Sequence, residues 1–180
     1  MHRSWIPAPT LVLALLITPV LAVAQGLGQQ SPTSQAAAAP RPAPESKFLT
    51  LEGKTVSLSD YKGKVVLLDF WATWCGPCRM AMPGLQKMHE SLKSKGLVVL
   101  GVSLDKNPPV QVPPFLKQMG ITYPNVADNP KDPCSAKWDV RAIPSLFLID
   151  RKGNVVRWWR GMAPESVLLP AVEEALAGKK

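Results

Sequence analysis

The chain has 180 residues, enough for one domain with a substantial core. Its formal charge is +8, from 21 Lys and Arg against 13 Asp and Glu. The charge is spread without a Lys/Arg-rich block, which speaks against a nucleic-acid binder and leaves a basic surface suited to acidic partners or membrane headgroups.

In chain order, the first segment reads as an export signal. Arg3 supplies a short positive region and Leu11 to Ala24 an apolar one. Ala22-Val23-Ala24 is a small-x-small cleavage site, placing the cut before Gln25. Pro19 interrupts the apolar run, which falls short of the roughly 20 residues of a spanning helix. Residues 1–24 are therefore expected to be a cleaved signal peptide, with membrane contact only if it is retained. Residues 25–46 are rich in Pro, Ala, Gln and Ser and read as a disordered linker, too poor in bulky apolar groups to offset ordering entropy.

The globular part is expected over 47–180. "FLTLEGKTVSLSDYKGK" alternates apolar and polar around Glu52-Gly53, the pattern of a β-hairpin. Val65 to Phe70 is a continuous apolar run, typical of a strand buried on both faces. From Cys78 the period turns helical: Met82, Leu85, Met88 and Leu92 form one stripe, and Gly96 ends the segment. Leu97 to Asp105 is a second buried strand. A short helix is expected around Pro114 to Met119, because Pro113 and Pro114 suit a helix entrance and break an interior. A short strand at Asn125–Ala127, a short helix over Cys134–Val140, the strand "SLFLID", a turn at Lys152-Gly153-Asn154 and the strand "VVRWWR" follow. The last helix runs from about Pro164 to Ala177, with Pro170 arguing for a kink or a later start. This order describes an α/β domain, a mixed central sheet flanked by helices.

The chemistry centres on "DFWATWCGPCRMAMP", Asp69 to Pro83. One CxxC pair with His89 as the sole histidine beyond His2 falls short of a four-ligand zinc site. A copper clip stays open, since Met80, Met82 and His89 lie nearby and soft ligands suit Cu(I). A purely structural bridge gains little, because so short a loop removes little chain entropy. A redox role accounts for more of the residues. Cys75 falls at a strand-to-helix junction, where free N–H groups and the helix dipole favour a thiolate, and Cys78 can reach back to resolve a mixed disulfide. Gly76 and Pro77 shape the pair. Trp71 and Trp74 either flank the site or pack. Asp69, if buried, has a raised pKa and is placed to take the Cys78 proton.

These residues resemble the active site of the thioredoxin superfamily. Pro83 matches the proline of the family's active-site helix, "VRAIPSLFLID" matches the loop with a cis proline, here Ile143-Pro144, and Gly161 matches a glycine near the site. The exported start, the leading hairpin and an insertion over about 105–133 are similar to the TlpA/ResA-type periplasmic thiol–disulfide oxidoreductases. The resemblance implies a thioredoxin-like fold with an N-terminal β-hairpin and a central insertion. It also implies a periplasmic enzyme whose redox group is the Cys75-Cys78 disulfide, without a further cofactor or metal. Cys75 would attack, Cys78 resolve, and Asp69 act as base. Trp74, Gly76, Pro77, Pro144 and the Ile143 backbone would support or bind the client chain. The implied partners are exported proteins with disulfides, cytochrome c or copper-site maturation among their roles, and a membrane electron donor of the thiol-reducing pathway.

Two departures matter. Ala81 stands where many of these relatives have Glu, and Asp69 where many have Asn, so proton handling is expected at Asp69. The Gly-Pro dipeptide and Asp69 together favour a reductant over an oxidant. The rival readings are a copper-binding metallochaperone and a peroxiredoxin-like peroxidase; against the latter, position 72 is Ala, with Thr73 one residue off the expected Thr. Cys134 lies outside the family pattern and is expected to be a small buried hydrophobe more readily than a reactive thiol.

Overall fold

Seven consecutive buried residues, Val65–Trp71, apolar except for Asp69, make the central strand of a sheet. The computed structural model describes residues 1–2, 34–35 and 40–178. The signal peptide expected over 1–24 lies outside the described residues apart from Met1 and His2, as does most of the linker expected over 25–46.

The strands and helices, in chain order, are β1 (Ser34–Gln35), β2 (Arg41–Pro42), β3 (Lys47–Thr50), β4 (Thr55–Ser57), β5 (Val65–Trp71), α1 (Gly76–Leu92), β6 (Leu97–Ser103), α2 (Pro108–Met119), β7 (Asn125–Ala127), α3 (Cys134–Lys137), β8 (Ser145–Ile149), β9 (Asn154–Arg160) and α4 (Glu165–Leu176). Among the described residues the sheet runs β1-β9-β8-β5-β6-β7-β3-β4, with β2 also on β9. β5, β6 and β7 are parallel; β8 and β9 on one side and β3 and β4 on the other are antiparallel.

The two-residue period of β5 sorts the core into two layers. Val65, Leu67 and Trp71 face α1, α2 and α4, where Met82, Leu85, Met88, Leu92, Val112 and Leu168 pack. Val66, Leu68 and Phe70 face the other way, against Phe48, Cys134, Trp138 and Phe147. Each Leu or Val so buried contributes about 1.5–3 kcal/mol relative to exposure. The helical stripe expected from Met82 to Leu92 is the buried face of α1, and Lys87, Lys93 and Lys95 are exposed.

Three expectations need correction. The linker's last residues belong to the fold. Arg41 and Pro42 pair with Val155 and Asn154, Ala43 donates its N–H to Gly153, and buried Ser46 accepts the Trp138 indole N–H at 2.8 Å. Edge pairing uses backbone groups, so it needs none of the bulky apolar residues the segment lacks. Pro42 is compatible with it because it sits on the outermost strand. The second correction is α2, which starts at Pro108, not near Pro114. Pro108 and Pro109 occupy the first positions, where no N–H is needed. Asn107 donates its N–H to the Gln111 side chain at 2.9 Å. Pro113 and Pro114 then delete bonds to the carbonyls of Pro109 and Val110, and those residues are exposed, so water can replace the lost donors. Exposed Pro170 is accommodated in the same way inside α4. α3 is shorter than expected, because Asp139 takes a left-handed φ of 51° after Trp138.

Gly101 on β6 lies beside Asp69 in the parallel ladder. A Cβ there would run into the Asn125 Oδ1 and Trp71 Nε1 atoms, which are hydrogen-bonded to each other at 2.9 Å. Gly101→Ala is therefore expected to destabilise the protein by about 1–3 kcal/mol in urea unfolding. Adding Asn125→Ala should return part of that loss, because it removes the nearest obstacle; no recovery would place the strain elsewhere.

Candidate active site

β5 ends at Trp71, and the chain turns through Ala72, Thr73 and Trp74 into α1, whose N-cap is Cys75. The two cysteines form a disulfide with S–S 2.03 Å, and the Cys78 N–H points at the Cys75 Sγ at 3.2 Å. A sulfur at a helix N-terminus, facing a backbone donor, is stabilised as a thiolate once the pair is reduced. Cys75 is 5% exposed and Cys78 1%, so Cys75 is the one an incoming disulfide can reach. Gly76 and Pro77 are exposed as the first turn of α1.

The two tryptophans part company. Trp71 is wholly buried, stacked on Phe115 at 5.4 Å and bonded to Asn125. Trp74 is 68% exposed immediately before Cys75. Arg79 lies over the Phe115 ring at 5.8 Å, joining α1 to α2.

Asp69 sits two residues before Trp71 on the face that carries both cysteines. It is 2% exposed, and its Oδ1 atom has no hydrogen-bond partner. Burial pushes its carboxyl from 3.8 up to about 7, because a low-dielectric setting penalises the ionised form. This is the poise a base needs near neutral pH.

The Ile143-Pro144 peptide bond is cis, as the sequence resemblance implies. Ile143 packs on the core layer that holds Cys75 and Cys78. Gly161, with φ 86°, donates its N–H to the Pro144 carbonyl at 2.8 Å, tying the end of β9 to this loop. Ala81 is half-buried on α1. Met80 is 66% exposed while Met82 is wholly buried, so the candidate copper ligands diverge. Cys134 is buried in the opposite layer, donates to the Lys47 carbonyl at 3.3 Å, and has its thiol pKa raised by burial, as a packed thiol should.

Sequence reasoning missed the anchor of the active-site turn. Buried Asp105 accepts from the Thr73 N–H at 3.0 Å, the Thr73 hydroxyl at 2.6 Å and the Ser103 hydroxyl at 2.8 Å. The clue available was an acid closing an apolar strand at the level of the CxxC turn. Asp105→Ala leaves the Thr73 donors unpaired. It is expected to cost about 2–3 kcal/mol in thermal unfolding and to lower the alkylation rate of reduced Cys75. Wild-type values for both would remove Asp105 from the site.

The AhpC/TSA family is matched over residues 39–158. The chain is 35% identical to the thiol-disulfide oxidoreductase ResA of Bacillus subtilis over 126 residues, covering 70% of this chain and 69% of that protein. Among solved structures it is similar to a thiol:disulfide interchange protein of the thioredoxin family from Chlorobium tepidum. That match has TM-score 0.67 and 30% identity, covering 78% of this chain and 99% of that one. A thiol:disulfide interchange protein from Bacteroides sp. superposes with TM-score 0.69 at 29% identity, covering 80% and 93%. The fold, the disulfide at the start of α1 and these likenesses agree: the chain belongs to the AhpC/TSA family, within the thioredoxin superfamily, as a thiol–disulfide oxidoreductase.

Proposed function

We propose that this enzyme is a reductant of exported proteins, working in the periplasm after cleavage of its signal peptide and recharged by a membrane electron donor. The observation that carries the reading is the buried Asp69 carboxyl, poised at about 7 on the face that holds the two cysteines. The Cys75 thiolate attacks a client disulfide and forms a mixed disulfide, releasing one client thiolate. Asp69 takes the Cys78 proton, and the Cys78 sulfur attacks Cys75. The second client thiol leaves and the Cys75-Cys78 disulfide closes, so two electrons pass to the client. The client backbone lies along Ile143 and Pro144, with exposed Trp74 beside it. The enzyme's own disulfide is its redox group, with no further cofactor. Maturation of cytochrome c or of copper sites fits as a source of clients.

Equilibration with a glutathione redox series tests the direction. A reductant should have a midpoint nearer about −270 mV than about −120 mV. A midpoint near the upper value would make the protein an oxidant and overturn the reading.

A further inference from the structure

Part of the formal charge of +8 is gathered at the redox end of the sheet. Ser145, the first residue of β8, pairs with Phe70 on one side and with Arg160 on the other. Phe70 lies on the strand that leads to Cys75, so this rung sets the Pro144 loop beside the CxxC turn. The loop brings Arg141, two residues before Ile143. The end of β9 brings Arg160, held there by the Gly161 N–H that donates to the Pro144 carbonyl at 2.8 Å.

The two arginines meet at one acid. Arg141 Nε donates to Asp139 Oδ1 at 2.8 Å. Arg160 Nη2 approaches Asp139 Oδ2 at 3.7 Å, too far for a hydrogen bond. The Arg160 guanidinium lies over the Trp158 ring at 5.2 Å, which orients it. Two positive charges thus face one negative. Among the described residues, the Nη groups of Arg141 and the whole Arg160 guanidinium make no hydrogen bond. Their side chains are 75% and 43% exposed. Nearby groups do not cancel the excess. The first turn of α1 holds no acid and is followed by exposed Arg79, and exposed Lys106 precedes α2. Asp69 and Asp105 are buried, and Glu165 lies by Gly84, midway along α1.

We propose that Arg141 and Arg160 form a client-selecting clamp: they bind a carboxylate close in sequence to the client cysteine, so the enzyme prefers acidic client segments. The inference rests on the reading that the client backbone lies along Ile143 and Pro144. A chain on that line runs past both guanidiniums. A planar guanidinium holds a carboxylate through two parallel N–H bonds, a geometry that a lysine lacks. Asp139 keeps Arg141 in place and leaves Arg160 free for the client. At an exposed rim such pairs add little affinity and act mainly on encounter rate and choice of partner.

Stopped-flow reduction of two disulfide peptides tests the clamp. They are identical except that the attacked cysteine is flanked by Glu in one and by Gln in the other. Dividing each rate by that with dithiothreitol removes the peptide's own reactivity. At low ionic strength the acidic peptide should react about fivefold faster than the neutral one. That ratio should shrink towards one in concentrated salt. Arg141→Gln with Arg160→Gln should bring it to about one without salt. Asp139→Asn should raise it instead, since asparagine tolerates the left-handed φ of 51° and leaves both cations uncompensated. A damaged fold would not produce that opposite sign. Lys62→Gln with Lys152→Gln removes the same charge at the far end of the sheet, before β5 and in the β8–β9 turn, and should leave the ratio in place. A wild-type ratio of one, a ratio unmoved by the arginine pair, no rise in Asp139→Asn, or an equal loss in the lysine pair would each overturn the clamp. The last would assign the preference to net charge. Trp74→Ala tests the client path by itself and should slow both peptides alike. If it slows neither, the client path fails and the clamp with it. If it slows both while the arginine pair leaves the ratio unmoved, only the clamp fails.

Discussion

Asp69→Asn is expected to make the oxidised protein more stable at pH 8 and slower at resolving a mixed disulfide. The folded carboxyl titrates at about 7 against 3.8 as its ordinary value. The folded state therefore binds the proton more tightly than the unfolded chain. That contribution is fully present below pH 3.8, shrinks as pH rises, and is lost above about 7. At 1.36 kcal/mol per unit the difference is roughly 4 kcal/mol. Asparagine never ionises but still buries an amide, so a gain of roughly 2–4 kcal/mol is expected at pH 8, fading towards pH 4. Urea unfolding of both proteins at each pH measures it. A stability difference independent of pH would show that Asp69 does not titrate as described. The kinetic cost has the opposite sign. Without the carboxylate, resolution by Cys78 should fall about a hundredfold at neutral pH and lose its dependence on a group near 7, while attack by Cys75 keeps its rate. Stability sacrificed at a residue that speeds one step is the mark of a functional group in a core.

The site was legible where the chemistry is written in consecutive residues. Asp69, Cys75 and Cys78 lie within ten positions, and the buried run Val65–Trp71 fixes which way Asp69 points: with Trp71 and Leu67, towards α1. The cis bond before Pro144 followed from the family resemblance, not from periodicity. What escaped the sequence was tertiary. Asp105 anchors Thr73 across 32 positions, and Tyr123 lies beneath α1 because Gln86 reaches it across 37. Neither pairing has a local signature. The segment 41–46 escaped for a different reason: it joins the fold through backbone pairing with β9, which composition cannot register. The α2 prolines misled because their cost depends on whether the orphaned carbonyls are wet, and exposure is a property of the fold.

Replacing the two cysteines separately should give opposite phenotypes, although they share one disulfide. Cys75 is the N-cap of α1 and the more exposed of the two residues; Cys78 lies one turn in, nearly sealed. Cys75→Ser should drop disulfide reduction to the uncatalysed background, because a serine hydroxyl at that position is a far weaker nucleophile than a thiolate at neutral pH. Cys78→Ser should keep the attack and lose the release. Cys75 would then hold each client as a mixed disulfide until an external thiol frees it. Expressed with residues 1–24 in place, the Cys78→Ser protein should accumulate in reductant-sensitive adducts on non-reducing gels, and mass spectrometry would identify the attached clients. The double variant should form none. Adducts of equal yield in Cys75→Ser would reverse the roles of the two sulfurs, and the N-cap position of Cys75, with the Cys78 N–H aimed at its sulfur at 3.2 Å, argues against that reversal.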